Sequence, residues 1–209
     1  MRTDDLIRAL AADPMPAPPV ERALWPALAL GLAASVILFL ATLGTRPDLA
    51  QAIETLRFVV KPVFPLILIG GAMYALTRLW GPGKAVPLWA LALAPAALVV
   101  AMALELIALP AQQWGAALVG ENALKCLFFI PLFSLAPLAV TLAALRRGAP
   151  TRPALTGAVA GLLSAGIAAS LYALHCPDDS PLFVATWYVI ASSLVAVLGA
   201  VVGARVLRW

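Results

Sequence analysis

Charge is what this chain has least of. Of 209 residues, 14 are Lys or Arg and 10 are Asp or Glu, 11% in all, against about 25% in an ordinary soluble domain. The hydrophobic share is 63% and the mean hydropathy +0.99. So little polar surface cannot coat a water-soluble domain, which excludes a soluble enzyme, a nucleic-acid binder and a disordered chain. Period-two alternation is missing too, and the apolar runs are too long for tilted strands, so a β-barrel is excluded. There is no Cys-x-x-Cys, the motif that thioredoxin-like or quinone-coupled disulfide chemistry needs. No internal repeat argues for a transporter-style duplication. A secretory signal peptide runs from basic residues straight into its apolar stretch. Here Asp4, Asp5, Asp13 and Glu21 come first, so the first apolar run is expected to be retained.

What is present is a series of uncharged runs: 23–45, 62–77, 85–104, 127–145, 153–174 and 181–204. Each is close to the roughly 20 residues a helix needs to cross about 30 Å of hydrocarbon. The second is short and is expected to recruit residues 58–60, with Lys61 snorkelling to the interface. The reading is an all-α polytopic membrane protein: a cytoplasmic leader helix with a Pro-rich spacer over 1–22, then six transmembrane helices over 23–209. Pro95, Pro131 and Pro137 should kink their helices. Gly157-x-x-x-Gly161 and Gly199-x-x-x-Gly203 would let backbones approach closely, most simply within the bundle.

Basic residues set the orientation. With the N-terminus cytoplasmic, the inner segments hold Arg2, Arg8, Arg22, Arg78, Lys84, Arg146, Arg147, Arg152, Arg205 and Arg208. The outer ones hold Arg46, Arg57, Lys61 and Lys125. That is the positive-inside pattern, and six spans return the C-terminus to the cytoplasm as well.

The leader, Thr3-Asp-Asp-Leu-Ile-Arg-Ala-Leu-Ala-Ala-Asp13, reads as a short helix. Thr3 is a candidate N-cap, and Asp4 and Asp5 favour the positive end of the helix dipole. Leu6, Ile7 and Leu10 share one face, while Asp4, Asp5 and Arg8 form a charged one. Pro14 ends the helix, and Pro14–Pro19 is a stiff spacer. Three turns are too short to be stable alone in water. The apolar face therefore calls for a partner. Its acids disfavour a lipid surface, where Lys and Arg usually line the polar face, so a protein groove is the better fit.

Two cysteines stand out. Cys126 opens the fourth span and Cys176 follows the fifth, in Leu174-His-Cys-Pro-Asp-Asp-Ser180. Those spans are antiparallel, so both thiols should emerge on the outer, oxidising side, where a static disulfide is one reading. A stress-responsive thiol pair is another, and two unrelated buried cysteines are a third. His175, Asp178 and Asp179 are the near neighbours, and Glu121 is a further carboxylate. Cys126, Cys176 and His175 would suit a transient thiophilic metal such as zinc or cadmium; no resident cofactor is implied. His175 would lower the Cys176 pKa, with Asp178 and Asp179 opposing. Glu105, near the outer end of the third span, is a lesser candidate for a polar cavity or a plain interfacial role.

Taken together, the leader, the six spans, Cys126, and His175-Cys-Pro-Asp-Asp-Ser180 followed by Phe183-Val-Ala-Thr-Trp-Tyr188 resemble the NrsF-type anti-sigma factors over essentially the whole chain. The resemblance implies a non-enzymatic, multi-pass protein of the bacterial inner membrane. Such a protein sequesters an extracytoplasmic-function sigma factor and does not itself bind nucleic acid. It implies that Cys126 and Cys176 are a pair sensing heavy-metal or oxidative stress, and that Thr3 to Asp13 contact sigma. Two other classes compete. A small transporter or metal permease would need polar residues inside the spans, which are nearly absent. A thiol oxidoreductase would need a second redox pair or a cofactor.

Overall fold

A computed structural model describes residues 3–12, 19–81 and 85–208. Asp13, most of the Pro-rich spacer, Arg2, Lys84 and Trp209 lie outside the described residues, as do the side chains of Leu6 and Leu10. All the described secondary structure is helical. Helix α1 spans Thr3–Ala12, with Asp4 and Asp5 in its first turn, and Thr3, Asp4, Asp5, Ile7 and Arg8 are exposed.

Six helices long and apolar enough to cross a membrane follow. The first is α2 (Val20–Thr42), which starts three residues before the apolar run because Pro19 delimits it and Arg22 is accepted in its first turn. After it come two short helices, α3 (Leu49–Ala52) and α4 (Leu56–Val60), the second capped by the Thr55 hydroxyl. The span α5 (Val63–Leu79) then returns, and α6 (Leu88–Ala108) crosses again. A 3₁₀ turn (Ala111–Gln113) and α7 (Trp114–Val119) precede α8 (Ala123–Leu145). Finally, α9 (Pro153–Ala173) is followed by α10 (Pro181–Phe183), a π-helical turn (Val184–Tyr188) and α11 (Val189–Val206).

Helix α9 is the centre of the bundle, touching α5, α8 and α11, while α2 lies against α8 and α6 against α5. Its central stretch is 67% buried, against 22% for α2 and α6. Small residues explain the position. A Cβ on Gly157 would collide with the Gly199 carbonyl, and one on Gly161 would sit 2.5 Å from the Val195 carbonyl oxygen. Lipid tails are as apolar as leucine, so van der Waals contact between closely approaching backbones drives association in a bilayer. Both Gly-x-x-x-Gly motifs are thus spent on the α9–α11 contact inside one chain.

A second device joins α2 to α8. Pro137 has no N–H, which leaves the Phe133 carbonyl, four residues earlier, without its helical partner. The Ser35 hydroxyl of α2 donates to that carbonyl at 2.7 Å. Gly31, one turn earlier, admits Pro137, because a Cβ there would lie 2.6 Å from the Pro137 Cα. Two apolar clusters result. One gathers the start of α2 (Val20, Leu24, Leu28) with Leu79, Leu145 and Leu207; the other gathers Phe39, Phe64, Ile130 and Tyr172 around both cysteines. The start of α2 and the thiols therefore lie at opposite ends, about 35 Å apart along a 23-residue helix.

Candidate functional site

Where α9 ends, the chain enters the short segment His175–Ser180, and nearly every residue in it is tied to a different element. His175 Nδ1 lies 3.1 Å from the Gly44 carbonyl oxygen. A carbonyl only accepts, so the ring carries its proton on that nitrogen. The Cys176 carbonyl accepts from Lys61 Nζ at 2.7 Å. Asp178 accepts the Asn122 N–H at 3.0 Å, the Asn122 side-chain amide at 2.9 Å and the Glu121 N–H at 3.2 Å. These donors stand at the start of α8, where a carboxylate also meets the positive end of the helix dipole. Asp179 pairs with Lys61 at 3.0 Å and with Arg46 at 2.9 Å. The Ser180 hydroxyl donates to Glu105 at 3.3 Å while accepting from Leu182 N–H.

One hexapeptide thus fastens the α2–α3 loop, the end of α4, α6 and the start of α8. Arg46 extends the network outward through a two-pronged pair with Asp48 at 2.6 and 2.7 Å. The hydrogen bonds to Asp48 hold the guanidinium pKa above its usual range, and Arg46 in turn holds the Asp48 carboxyl below its own. Glu105 is completed by Arg57 at 3.1 Å. At Gly120, which ends α7 with φ +58°, a side chain would be strained and its Cβ would stand 2.5 Å from the Phe183 ring and 2.9 Å from the Asp178 carboxyl carbon.

Under this network lie the thiols. Cys126 and Cys176 are fully buried in one apolar cluster, and no disulfide joins them. They share one end of the bundle, as the antiparallel spans require, but they do not emerge from it. Burial pushes the Cys176 thiol up from its ordinary range, the opposite of activation by His175, whose ring is turned to Gly44. Among the described residues, no three of His, Cys, Asp and Glu are gathered so as to hold one metal ion. Asp178 and Asp179, candidates for the neighbourhood of a sensor, are anchors in this arrangement. Glu121 is exposed and contributes only its backbone N–H to Asp178.

Lys61 departs from expectation. Its side chain is 0% exposed and points inward to Asp179 and the Cys176 carbonyl, whereas hydropathy alone places it snorkelling at an interface. A lysine in an apolar run turns inward when a carboxylate compensates its desolvation, and that carboxylate is 118 residues away in sequence. Sequence reasoning also missed Arg46, Tyr172 and Tyr188. The π-helical turn carrying Tyr188 coincides with the Ala185-Thr-Trp-Tyr188 run, and such turns recur at functional sites.

The architecture is a bundle of six helices long and apolar enough to cross a membrane, with a polar and ionic network gathered at one end. Comparison with known proteins narrows the class. The family model described as "Negative regulator of sigma F", NrsF, matches residues 9–209. The chain is 40% identical over 216 residues to the Anti-sigma-F factor NrsF of Caulobacter vibrioides (strain NA1000 / CB15N), covering all of both chains. It is 34% identical over 214 residues to the Probable anti-sigma-F factor NrsF of Azospira oryzae (strain ATCC BAA-33 / DSM 13638 / PS), again over the full length of each. No solved structure matches. This chain belongs to the NrsF family of anti-sigma factors.

Proposed function

We propose that this protein holds an extracytoplasmic-function sigma factor at the bacterial inner membrane through its leader, residues 3–13, and releases it when Cys126 and Cys176 change chemical state. Both termini are cytoplasmic in this reading, on the positive-inside count of Arg and Lys, and the cysteine end faces outward. The observation that carries it is the separation of the start of α2, to which the leader is joined, from the thiol cluster at the other end of the bundle, with the Cys176 segment bonded to four other elements. A change at either thiol must disturb a cluster built from α2, α5, α8 and α9. Interiors that are close-packed respond by shifting between discrete arrangements.

Release needs little energy. A difference of about 1.4 kcal/mol between the two states weakens sigma binding tenfold. The exposed Asp4, Asp5, Ile7 and Arg8 of α1, with Thr3, Leu6, Leu10 and Asp13, are the contact residues this reading assigns. A soft divalent ion or an oxidant is the agent at the thiols. Deletion of residues 2–13 tests the reading. Sigma-dependent transcription should become constitutive while the protein stays in the membrane; a truncated protein that still represses would overturn it.

A further inference from the structure

Two buried hydroxyls at the thiol cluster have nothing to bond to. Tyr172 is 0% exposed and Tyr188 4%, and neither hydroxyl has a hydrogen-bond partner among the described residues. Their rings lie 6.0 Å apart and pack in the same cluster as Cys126 and Cys176. The Cys176 N–H donates to the Tyr172 carbonyl at 3.0 Å, so the two residues stand one helical turn apart. The Lys61 ammonium lies 5.9 Å from the Tyr188 ring centre. A buried hydroxyl without a partner costs stability, and tyrosine hydroxyls usually find one. Phenylalanine would fill the same space without that cost.

The arrangement is rich in donors: two phenols, two thiols and a nearby ammonium. Acceptors are scarce, since the Cys176 sulfur has only the Asp178 carbonyl and carboxylate, each at 4.0 Å. A neutral thiol accepts hydrogen bonds weakly. A thiolate accepts them well, and hydrogen bonds to charged groups are roughly twice as strong as neutral ones.

We infer that Tyr172 and Tyr188 are positioning residues for the thiolate form of the cysteine site, donating their hydroxyl protons to sulfur when a thiol ionises. In that step the S–H bond of Cys176 breaks, the proton passes to an aqueous base, and sulfur keeps the electron pair that the phenols then hydrogen-bond. Two unpaired donors are thus held ready for the reactive state at a cost to the resting one. The inference deepens the thiol-sensing reading and rests on it for its biological meaning. Its test is chemical and does not need sigma.

The test uses full-length protein in nanodiscs carrying Cys126→Ser, so that Cys176 is the sole thiol. N-ethylmaleimide, small and uncharged, is selective for thiols between about pH 6.5 and about pH 7.5, where its rate follows the thiolate fraction. Tyr172→Phe should label about tenfold more slowly at each pH, and Tyr188→Phe should also slow it. Thermal stability of either variant should equal or exceed that of the parent. A variant stabilised by losing an unpaired hydroxyl would also open less often, so labelling is divided by the opening equilibrium read on the same protein by amide hydrogen exchange, and the slowing must survive that division. Unchanged or faster labelling in both variants would overturn the inference. If the slowing is found but cysteine replacements leave induction in cells intact, the sensing reading fails and the assignment of the tyrosines stands.

Discussion

Replacing Asp179 by alanine removes a carboxylate shared by two cations. Its Oδ2 lies 2.9 Å from Arg46 and its Oδ1 3.0 Å from Lys61. The two losses are unequal. Arg46 keeps its two-pronged pair with Asp48, whereas Lys61 keeps only the Cys176 carbonyl. Because the Lys61 side chain is 0% exposed, it becomes an unpaired buried charge, and breaking a buried pair from one side costs about 3–5 kcal/mol. The remaining carbonyl places the expected loss at about 3 kcal/mol, a factor of about a hundred in the folded population. Denaturant titration of the reconstituted protein, followed by tryptophan fluorescence, measures it. In a Lys61→Met background the same change should cost at least about 1.5 kcal/mol less, since no ammonium is left stranded. A loss below about 1 kcal/mol, or an equal loss in both backgrounds, would refute the view that the pair is a buried clamp on the Cys176 segment.

Other consequences are smaller or differ in sign. Arg57→Ala leaves the Glu105 carboxylate, 8% exposed, with only the Ser180 hydroxyl, so the same titration should show a loss of about 1–3 kcal/mol. Ser35→Ala leaves the Phe133 carbonyl unpaired beside Pro137 and should cost about 0.6–1.7 kcal/mol. Gly157→Leu forces α9 and α11 apart and should abolish the folded bundle, visible as aggregation in detergent size exclusion. For pH, burial raises the Cys176 thiol pKa, so stability tied to its neutral form is complete below the ordinary thiol range of about 8.5 and falls as pH rises through the folded value. Asp48 is lowered and acts in reverse, its contribution being lost as pH falls below the ordinary aspartate value of about 3.9. Unfolding midpoints measured across pH, with Asp48→Asn and Cys176→Ser as controls, check both directions.

The spans were legible because a bilayer permits only helices or closed barrels, and uncharged runs of helical length leave one choice. Close backbone approach inside the bundle was legible for a related reason, since glycines four apart have few other uses in an apolar helix; that the two motifs meet each other across α9 and α11 was not. Long-range polar pairing was not. Nothing near Ser35 announces that a carbonyl 98 residues away has lost its partner to Pro137. Lys61 reads as interfacial until Asp179 is placed beside it. The His175–Ser180 run was recognisable as special, but a string of imidazole, thiol and carboxylates looks the same in sequence whether it holds a metal or four helices. Only the direction of each side chain separates the two, and here Asp178 and Asp179 turn to α8, Lys61 and Arg46.

The central claim is that thiol chemistry at one end of the bundle changes sigma binding at the other. The most direct measurement is the affinity of purified sigma factor for the protein in nanodiscs, before and after modification of Cys126 and Cys176. The account predicts at least a tenfold loss of affinity on modification, about 1.4 kcal/mol, and no change when both cysteines are replaced by serine. Equal affinity before and after full modification would contradict it.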